Sequence, residues 1–102
     1  PSSPRPPPPQ AGGGRVREEV MQAMRPLMQY EEGRDRLAAG GYIQELVQAM
    51  RDAPRDYHTL SPACANLRGM CHGNATLLAL AVGAGAAAAA FDAVLHYPSM
   101  LA

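Results

Sequence analysis

The side chains best suited to catalysis or metal binding in this chain belong to three histidines and two cysteines. His58, His72 and His96 stand in three separate stretches, and the sequence contains no HExxH motif, CxxC motif or glycine-rich phosphate loop. Cys71 and His72 are adjacent, so on a helix their side chains would point about 100° apart, which does not suit a shared metal ion. These residues therefore predict no catalytic centre, no metal site and no cofactor.

The two cysteines, Cys64 and Cys71, are better explained as small apolar side chains of one helix. At this spacing their Cα atoms would lie about 10 Å apart along a helix, whereas a disulfide requires less than about 7 Å. Free thiols in a small protein are typical of a reducing compartment. We therefore expect an intracellular, cytoplasmic protein, with the nucleus and the cilium left open.

The charged residues are balanced in number but unevenly distributed. Nine basic and nine acidic side chains give a net charge of zero, and every basic residue is arginine. A general nucleic-acid-binding protein would show a basic excess, so no nucleic-acid partner is expected. Because no catalytic motif was found, no small-molecule substrate is expected either. From Tyr57 onward the only charged residues are Arg68 and Asp92. We expect further repeats of the same parent chain, or self-association, to cover this half.

The elements that must position these residues are helices, because no stretch alternates between apolar and polar residues as a strand would. One apolar stripe at helical spacing predicts a helix that contains Pro26. This proline should kink the helix or divide it in two. A second stripe ends at Pro54. Another helix is predicted to begin at a cap on Thr59 or Ser61, with Pro62 in its first turn. The stripes consist of Val16, Val20, Met24, Leu27 and Met28, and of Ile43, Leu46, Val47 and Met50.

The first fourteen residues, PSSPRPPPPQAGGG, differ in composition from the rest of the chain. A proline-rich run followed by glycines predicts a disordered or polyproline-II linker over residues 1–14. Its PxxP spacings also fit a ligand of SH3 or WW domains, but a plain linker is favoured. The folded part is therefore expected at residues 15–102.

The chain repeats itself at an interval of 43 to 44 residues. Self-similarity at about 40–47 residues is typical of stacked helical repeats. In this alignment the uncharged stretch LLALAVGAGAAAAAF overlies an amphipathic one, so we interpret it as a short helix, a glycine corner and the start of another helix. The matching pairs are Gly41 with Gly85, Ala49 with Ala93, Pro54 with Pro98, Met24 with Leu67, Arg25 with Arg68, and Met28 with Cys71.

At these residues the chain resembles an armadillo repeat, with the HEAT repeat as the nearest alternative. RDRLAAGGYIQELVQAMRDAP followed by LSPACANLRGMCHGN has the order of a short helix, a glycine corner, a second helix and a long third helix. TLLALAVGAGAAAAAFDAVLHYP repeats the opening of that order. The resemblance implies an all-α, right-handed armadillo/HEAT-like α-solenoid of about two repeats, as a fragment of a longer one. Residues 15–30 would be a third helix, 31–73 one repeat, and 74–102 the first part of the next.

The resemblance also implies where a partner would bind, because third helices of armadillo proteins line a concave groove for extended protein segments. Nuclear-import members of the family carry a Trp and an Asn on each third helix. The corresponding positions are Gln22 and Pro26 in one copy, and Ala65 and Gly69 in the next. That mode of recognition is therefore not expected. An acidic segment is the expected partner, since arginine pairs with carboxylates. The candidate binding residues are Gln22, Arg25, Gln29, Arg68 and His72.

These observations predict a non-catalytic scaffold for protein–protein interaction that binds a partner segment along its concave face. One alternative is a membrane-associated protein in which residues 77–95 insert as a helix. Another is a fragment of an enzyme whose active site lies elsewhere. The charged cluster of Glu31, Glu32, Arg34, Asp35 and Arg36 is expected to be a solvated, mutually paired helix face.

Overall fold

In a computed structural model, which describes residues 9–101, the chain is built from helices and contains no strand within that range. Side chains are described for residues 17–100. The prediction of an all-α fold is confirmed. The helices are α1 (Pro9–Met24), α2 (Glu31–Ala39), α3 (Tyr42–Asp52), α4 (Tyr57–Cys71), α5 (Ala75–Gly83) and α6 (Ala86–His96), with 3₁₀ helices at Arg25–Gln29 and Pro98–Leu101.

Helix α1 begins earlier than the sequence predicts. Residues 9–14, assigned to the linker, belong to the helix, and the other linker residues, 1–8, lie outside the described part. Proline is tolerated at a helix start because the N–H that it lacks has no partner there. The helix ends at Met24 and passes into a 3₁₀ helix with Pro26 near its start, which is the division that this proline predicts. The predicted apolar side chain of Val16 is also outside the described part.

The start of α4 differs from the prediction, because neither Thr59 nor Ser61 caps it. The cap is Asp56, whose carboxylate accepts a hydrogen bond from the backbone N–H of His58 at 3.0 Å and from the hydroxyl of Thr59 at 3.0 Å. An aspartate in this position satisfies backbone donors that the helix leaves free. The helix therefore begins sooner, and Pro62 lies inside it rather than in its first turn.

The pair α2–α3 recurs as α5–α6, at the interval that the sequence predicts. The two short helices have nine residues each and the two that follow have eleven each, and every boundary is displaced by 44 positions. Both corners contain a left-handed glycine, Gly41 with φ of 89° and Gly85 with φ of 94°. The hydrogen bonds that close the corners recur as well, from Gly41 N–H to Ala38 O and from Gly85 N–H to Val82 O, both at 3.0 Å.

The helices pack in two layers around one apolar core. In one layer α1 lies against α4, in the other α3 lies against α6, and α4 also packs against α3 between the layers. The second predicted stripe is confirmed as core, since Ile43, Leu46, Val47 and Met50 are all buried. Met70 of α4 is completely buried against them. The first stripe is only partly buried.

Two contacts join α3 and the residues beside it to the second helix pair. Arg51 lies over the glycine corner, where a Cβ added at Gly85 would come within 2.1 Å of its Nη2 atom. The hydroxyl of Tyr97 donates a hydrogen bond to the backbone carbonyl of Arg55 at 2.5 Å. The two repeated units are therefore held together at the start and at the end of α6.

Replacing Gly41 with alanine is expected to lower the free energy of unfolding by about 1–2 kcal/mol, the usual cost of a left-handed conformation for a residue with a Cβ atom. Space is not limiting there, because the nearest atom to the added Cβ, Oε1 of Gln44, is 3.9 Å away. Gly85→Ala should cost a similar amount, because the atom in the way, Nη2 of Arg51, is the tip of an exposed and flexible side chain that can move aside. Urea denaturation of both variants checks this, and a much larger loss for Gly85→Ala would contradict it.

The stretch over residues 77–95, which the membrane alternative would insert as a helix, is not one helix. Helix α5 ends at Gly83 and α6 begins at Ala86, with a bend of 78° between them. The interpretation as two helices around a glycine corner is confirmed. No single helix of the described chain is long and apolar enough to cross a membrane, although the bent pair α5–α6 passes the same test of length and composition when taken together.

Candidate partner-binding face

The five residues predicted to bind a partner are all exposed, but the structure does not gather them into one site. Gln22 lies on α1, and Arg25 and Gln29 lie in the 3₁₀ helix that follows it. Arg68 is in the last turn of α4, and His72 is the C-cap of that helix. Four of them divide between two depressions on the layer formed by α1 and α4.

Gln22 and Arg25 line a depression of about 150 Å³, here called the polar cleft. Glu18 and His58 also line it, and Nδ1 of His58 lies 3.6 Å from Oε2 of Glu18. Because a carboxylate shares this cleft with basic groups, the cleft has no single sign of charge. The remaining lining residues are Tyr57, Ser61 and Pro62.

Arg68 and His72 line a larger depression of about 460 Å³, here called the cationic cleft. Two guanidinium groups and an imidazole meet there, and among the described side chains no carboxylate belongs to the lining. Arginines in such an arrangement can bind a carboxylate through two parallel hydrogen bonds. Gln29 lines neither cleft. The full lining of the cationic cleft is Met28, Arg34, Ala65, Arg68, Gly69 and His72.

Arg34 is the residue of this cleft that sequence reasoning missed. Its charged neighbours led to the prediction of a self-paired face, and Arg36 does pair with Glu32 at 2.9 Å as expected. Arg34 instead donates a hydrogen bond from Nη1 to the carbonyl oxygen of Met28 at 2.6 Å. Its Nε atom is buried without a hydrogen-bond partner among the described residues. The guanidinium is thus fixed from one side, at the wall of the cleft.

Gly33 explains how α2 comes close enough to place Arg34 there. A Cβ added at Gly33 would lie 1.9 Å from the carbonyl oxygen of Leu27, so no larger residue fits without movement of the backbone. The sequence does contain a signal for this approach. A glycine inside a helix costs about 1 kcal/mol relative to alanine, so its presence within the charged cluster indicates a packing requirement.

The floor of the cationic cleft consists of small residues. Ala65 and Gly69 are one helical turn apart on α4. A Cβ added at Gly69 would meet only the side chain of Met28, at 3.5 Å, which is ordinary van der Waals contact. The backbone of a bound segment can therefore approach α4 closely while its side chains reach the arginines.

The thiols and the other metal-binding side chains offer little reactive chemistry. Cys64 and Cys71 are free and partly buried, and burial raises the pKa of both thiols. Both remain protonated at neutral pH and are poor nucleophiles. Within the residues described, no group of three His, Cys, Asp or Glu side chains is close enough together to hold a metal ion.

The cationic cleft is the most strongly charged part of this face. No known family is shown for the chain, and the armadillo resemblance stays a prediction. Comparisons of the chain with protein-family models, with curated proteins and with solved structures find no match.

Proposed function

We propose that this chain is a non-catalytic, armadillo-like solenoid that binds an acidic, extended segment of a partner protein across α1 and α4. Two features support the repeat architecture: the recurrence of α2–α3 as α5–α6, and the position of α1 beside α4, as expected of third helices in successive repeats. The observation that carries the binding proposal is the convergence of Arg34, Arg68 and His72 on one cleft without a lining carboxylate.

Binding would follow from pairing between the partner's carboxylates and the two arginines. A hydrogen bond to a charged group contributes about 1.5–3 kcal/mol when both partners are well placed. Arg34 is already held by the carbonyl of Met28, so ordering it on binding costs little side-chain entropy. Because the cleft is open to solvent, added salt should weaken the complex.

Arg68→Glu is expected to weaken binding of a labelled peptide rich in aspartate and glutamate by about 10- to 100-fold, since one charge-assisted contact becomes a repulsion. Fluorescence anisotropy at moderate ionic strength measures this change. Arg25→Glu reverses a charge in the polar cleft, and it should have a smaller effect.

Arg36→Glu is the matched control. It changes the net charge by the same amount, but Arg36 is exposed, pairs with Glu32 and lines neither cleft. Its affinity for the peptide should stay close to that of the unmodified chain. If Arg36→Glu weakened binding as much as Arg68→Glu does, the attraction would be a general effect of charge and the proposed site would be wrong.

A further inference from the structure

Helix α6 has an apolar face that no described residue covers, although the corresponding face of α3 is buried. Val47 of α3 is 1% exposed, whereas its counterpart Phe91 is 67% exposed. The face of α3 is covered by α4, and no helix within residues 9–101 takes that place over α6. The result is an open apolar groove of about 310 Å³ between α4, α5 and α6, here called the C-terminal groove. Its lining includes Cys64, Leu67, Cys71, Ala86, Ala87 and Ala90.

A corresponding groove exists one repeat earlier, and there α4 fills it. Asn66 of α4 reaches both walls, because its Nδ2 donates to the carbonyl oxygen of Met21 on α1 at 2.8 Å and to the hydroxyl of Tyr42 on α3 at 2.7 Å. Ala63 and Met70 of α4 are completely buried in that contact. An occupant of the C-terminal groove should therefore be a helix that resembles α4.

Helix α1 is the counterpart of α4 in this chain, displaced by 43 residues, and it has the required free face. Val20 of α1 and Leu27 of the 3₁₀ helix that follows it correspond to Ala63 and Met70, which are completely buried in α4. Val20 and Leu27, however, are 48% and 49% exposed. The chain thus carries an unfilled groove at one end and an unburied groove-filling helix at the other.

We propose that copies of this chain associate head to tail, with α1 of one copy lying in the C-terminal groove of the next. This inference goes beyond the proposed binding of an acidic segment and uses a neighbouring surface, with Arg68 lining both the cationic cleft and the C-terminal groove. An interval of 43 residues relates α1 to α4, and one of 44 relates the α3 wall of the filled groove to the α6 wall of the empty one. The junction between copies would repeat the junction that already exists within each copy.

The buried polar pair of the filled groove has no counterpart at the junction between copies. In the filled groove the buried amide of Asn66 is matched by the hydroxyl of Tyr42. The corresponding residues between copies are Ala23 on α1 and Ala86 at the start of α6. Both members of this polar pair are replaced by alanine, so this pair leaves no buried donor or acceptor without its partner.

Volume and charge are also complementary. Small residues line the C-terminal groove at Ala87 and Ala90, which leaves room for Val20 where α4 has the smaller Ala63. At the inner junction Arg25 and Ser61 line one cleft, and the corresponding residues between copies are Arg68 and Glu18. An opposite-charge pair would therefore form at the rim.

The proposed junction joins two different surfaces, α1 of one copy and the C-terminal groove of the next. An assembly of any size therefore still exposes one α1 at one end and one empty groove at the other. The 102-residue chain should therefore form a concentration-dependent series of species rather than a closed dimer, measurable by sedimentation velocity. Val20→Glu and Ala87→Glu should each weaken the association by at least about 100-fold, because each would bury an unpaired charge. Both positions are exposed in the single chain, so circular dichroism should show an unchanged fold.

Mixing the two variants distinguishes this arrangement from others. Val20→Glu retains an intact groove and Ala87→Glu retains an intact α1, so an equimolar mixture should form dimers that contain one copy of each and grow no further. A two-fold symmetric junction between C-terminal grooves would be abolished by Ala87→Glu, would survive Val20→Glu, and would not be restored by mixing. That result would overturn the proposal.

Ala88→Glu is the matched control, because it introduces the same charge one position along α6. Its counterpart Gln44 stays exposed beside a filled groove, so Ala88→Glu should associate as the unmodified chain does. The native thiols give an independent measurement. Cys64 and Cys71 line the groove, and their reaction with a thiol reagent should slow as protein concentration rises. A chain that stays monomeric at all concentrations, with constant thiol reactivity, would also overturn the proposal.

Discussion

Gly33→Ala is expected to lower the free energy of unfolding by about 3 kcal/mol, the upper end of what overpacking a tight contact usually costs. The added Cβ would lie 1.9 Å from a backbone oxygen, that of Leu27, which cannot move aside as the tip of a flexible side chain can. The strain must be relieved by shifting α2 away from the 3₁₀ helix before it. Urea denaturation followed by circular dichroism measures the loss.

Gly83→Ala is the matched control for this substitution. Gly83 is the last residue of α5, and a Cβ added there meets no atom within 4 Å. Alanine should therefore stabilise the chain by about 0.5–1 kcal/mol through its better helix propensity and the lower entropy of the unfolded state. If Gly33→Ala were stabilising too, α2 would not approach the 3₁₀ helix as described.

Gly33→Ala should also affect partner binding. A shift of α2 moves Arg34 away from the cationic cleft, so the affinity for an acidic peptide should fall even though no charge has changed. Gly83→Ala should leave this affinity unaltered. A loss of affinity in Gly33→Ala but not in Gly83→Ala would show that the contact at Gly33 holds Arg34 in the cationic cleft.

Asn66→Ala is expected to cost about 2–4 kcal/mol of stability, because it leaves a buried hydroxyl without its partner and opens a cavity. Asn66 is completely buried and holds α4 to α1 through the carbonyl of Met21 and to α3 through the hydroxyl of Tyr42. The position lies where three helices meet, so the loss should appear as a lower urea midpoint for the whole chain.

Tyr42→Phe tests one of the two hydrogen bonds of Asn66 without removing the other. It removes one acceptor, keeps the ring and leaves the bond to Met21, so we expect a loss of about 1 kcal/mol. In the double variant the effects should be less than additive, since both changes remove the same contact. Strict additivity would contradict the hydrogen bond between Asn66 and Tyr42.

The repeat and its corners could be predicted from sequence because they depend on local backbone chemistry. Gly41 and Gly85 permit a left-handed conformation that other residues avoid, and their spacing alone gives the interval between units. The start of α4 was predicted wrongly because Asp56 competes with Thr59 as a cap, and the two options differ by little energy. Helix ends are decided by such small differences.

The candidate site could be predicted only in part, because helical periodicity assigns residues to faces of one helix but does not say which helices converge. Arg68 and His72 do meet in one cleft, whereas Arg25 lies in another. Arg34 comes from α2 and reaches the cleft through the close contact at Gly33. The glycine in α2 indicates that something packs closely there, but no pattern within either element identifies Leu27 as the contact.

Helices α5 and α6 are expected to repeat α2 and α3 as a second packed unit in solution. Heteronuclear NMR of the chain at low concentration tests it most directly, through backbone chemical shifts at both corners and through proton contacts between α3 and α6. We predict helical shifts interrupted at Gly41 and at Gly85, a positive φ at each, and contacts from Tyr97 to the loop at Arg55. Uninterrupted helical shifts over residues 77–95, without contacts to α3, would show that α5 and α6 do not form a second unit packed against α3.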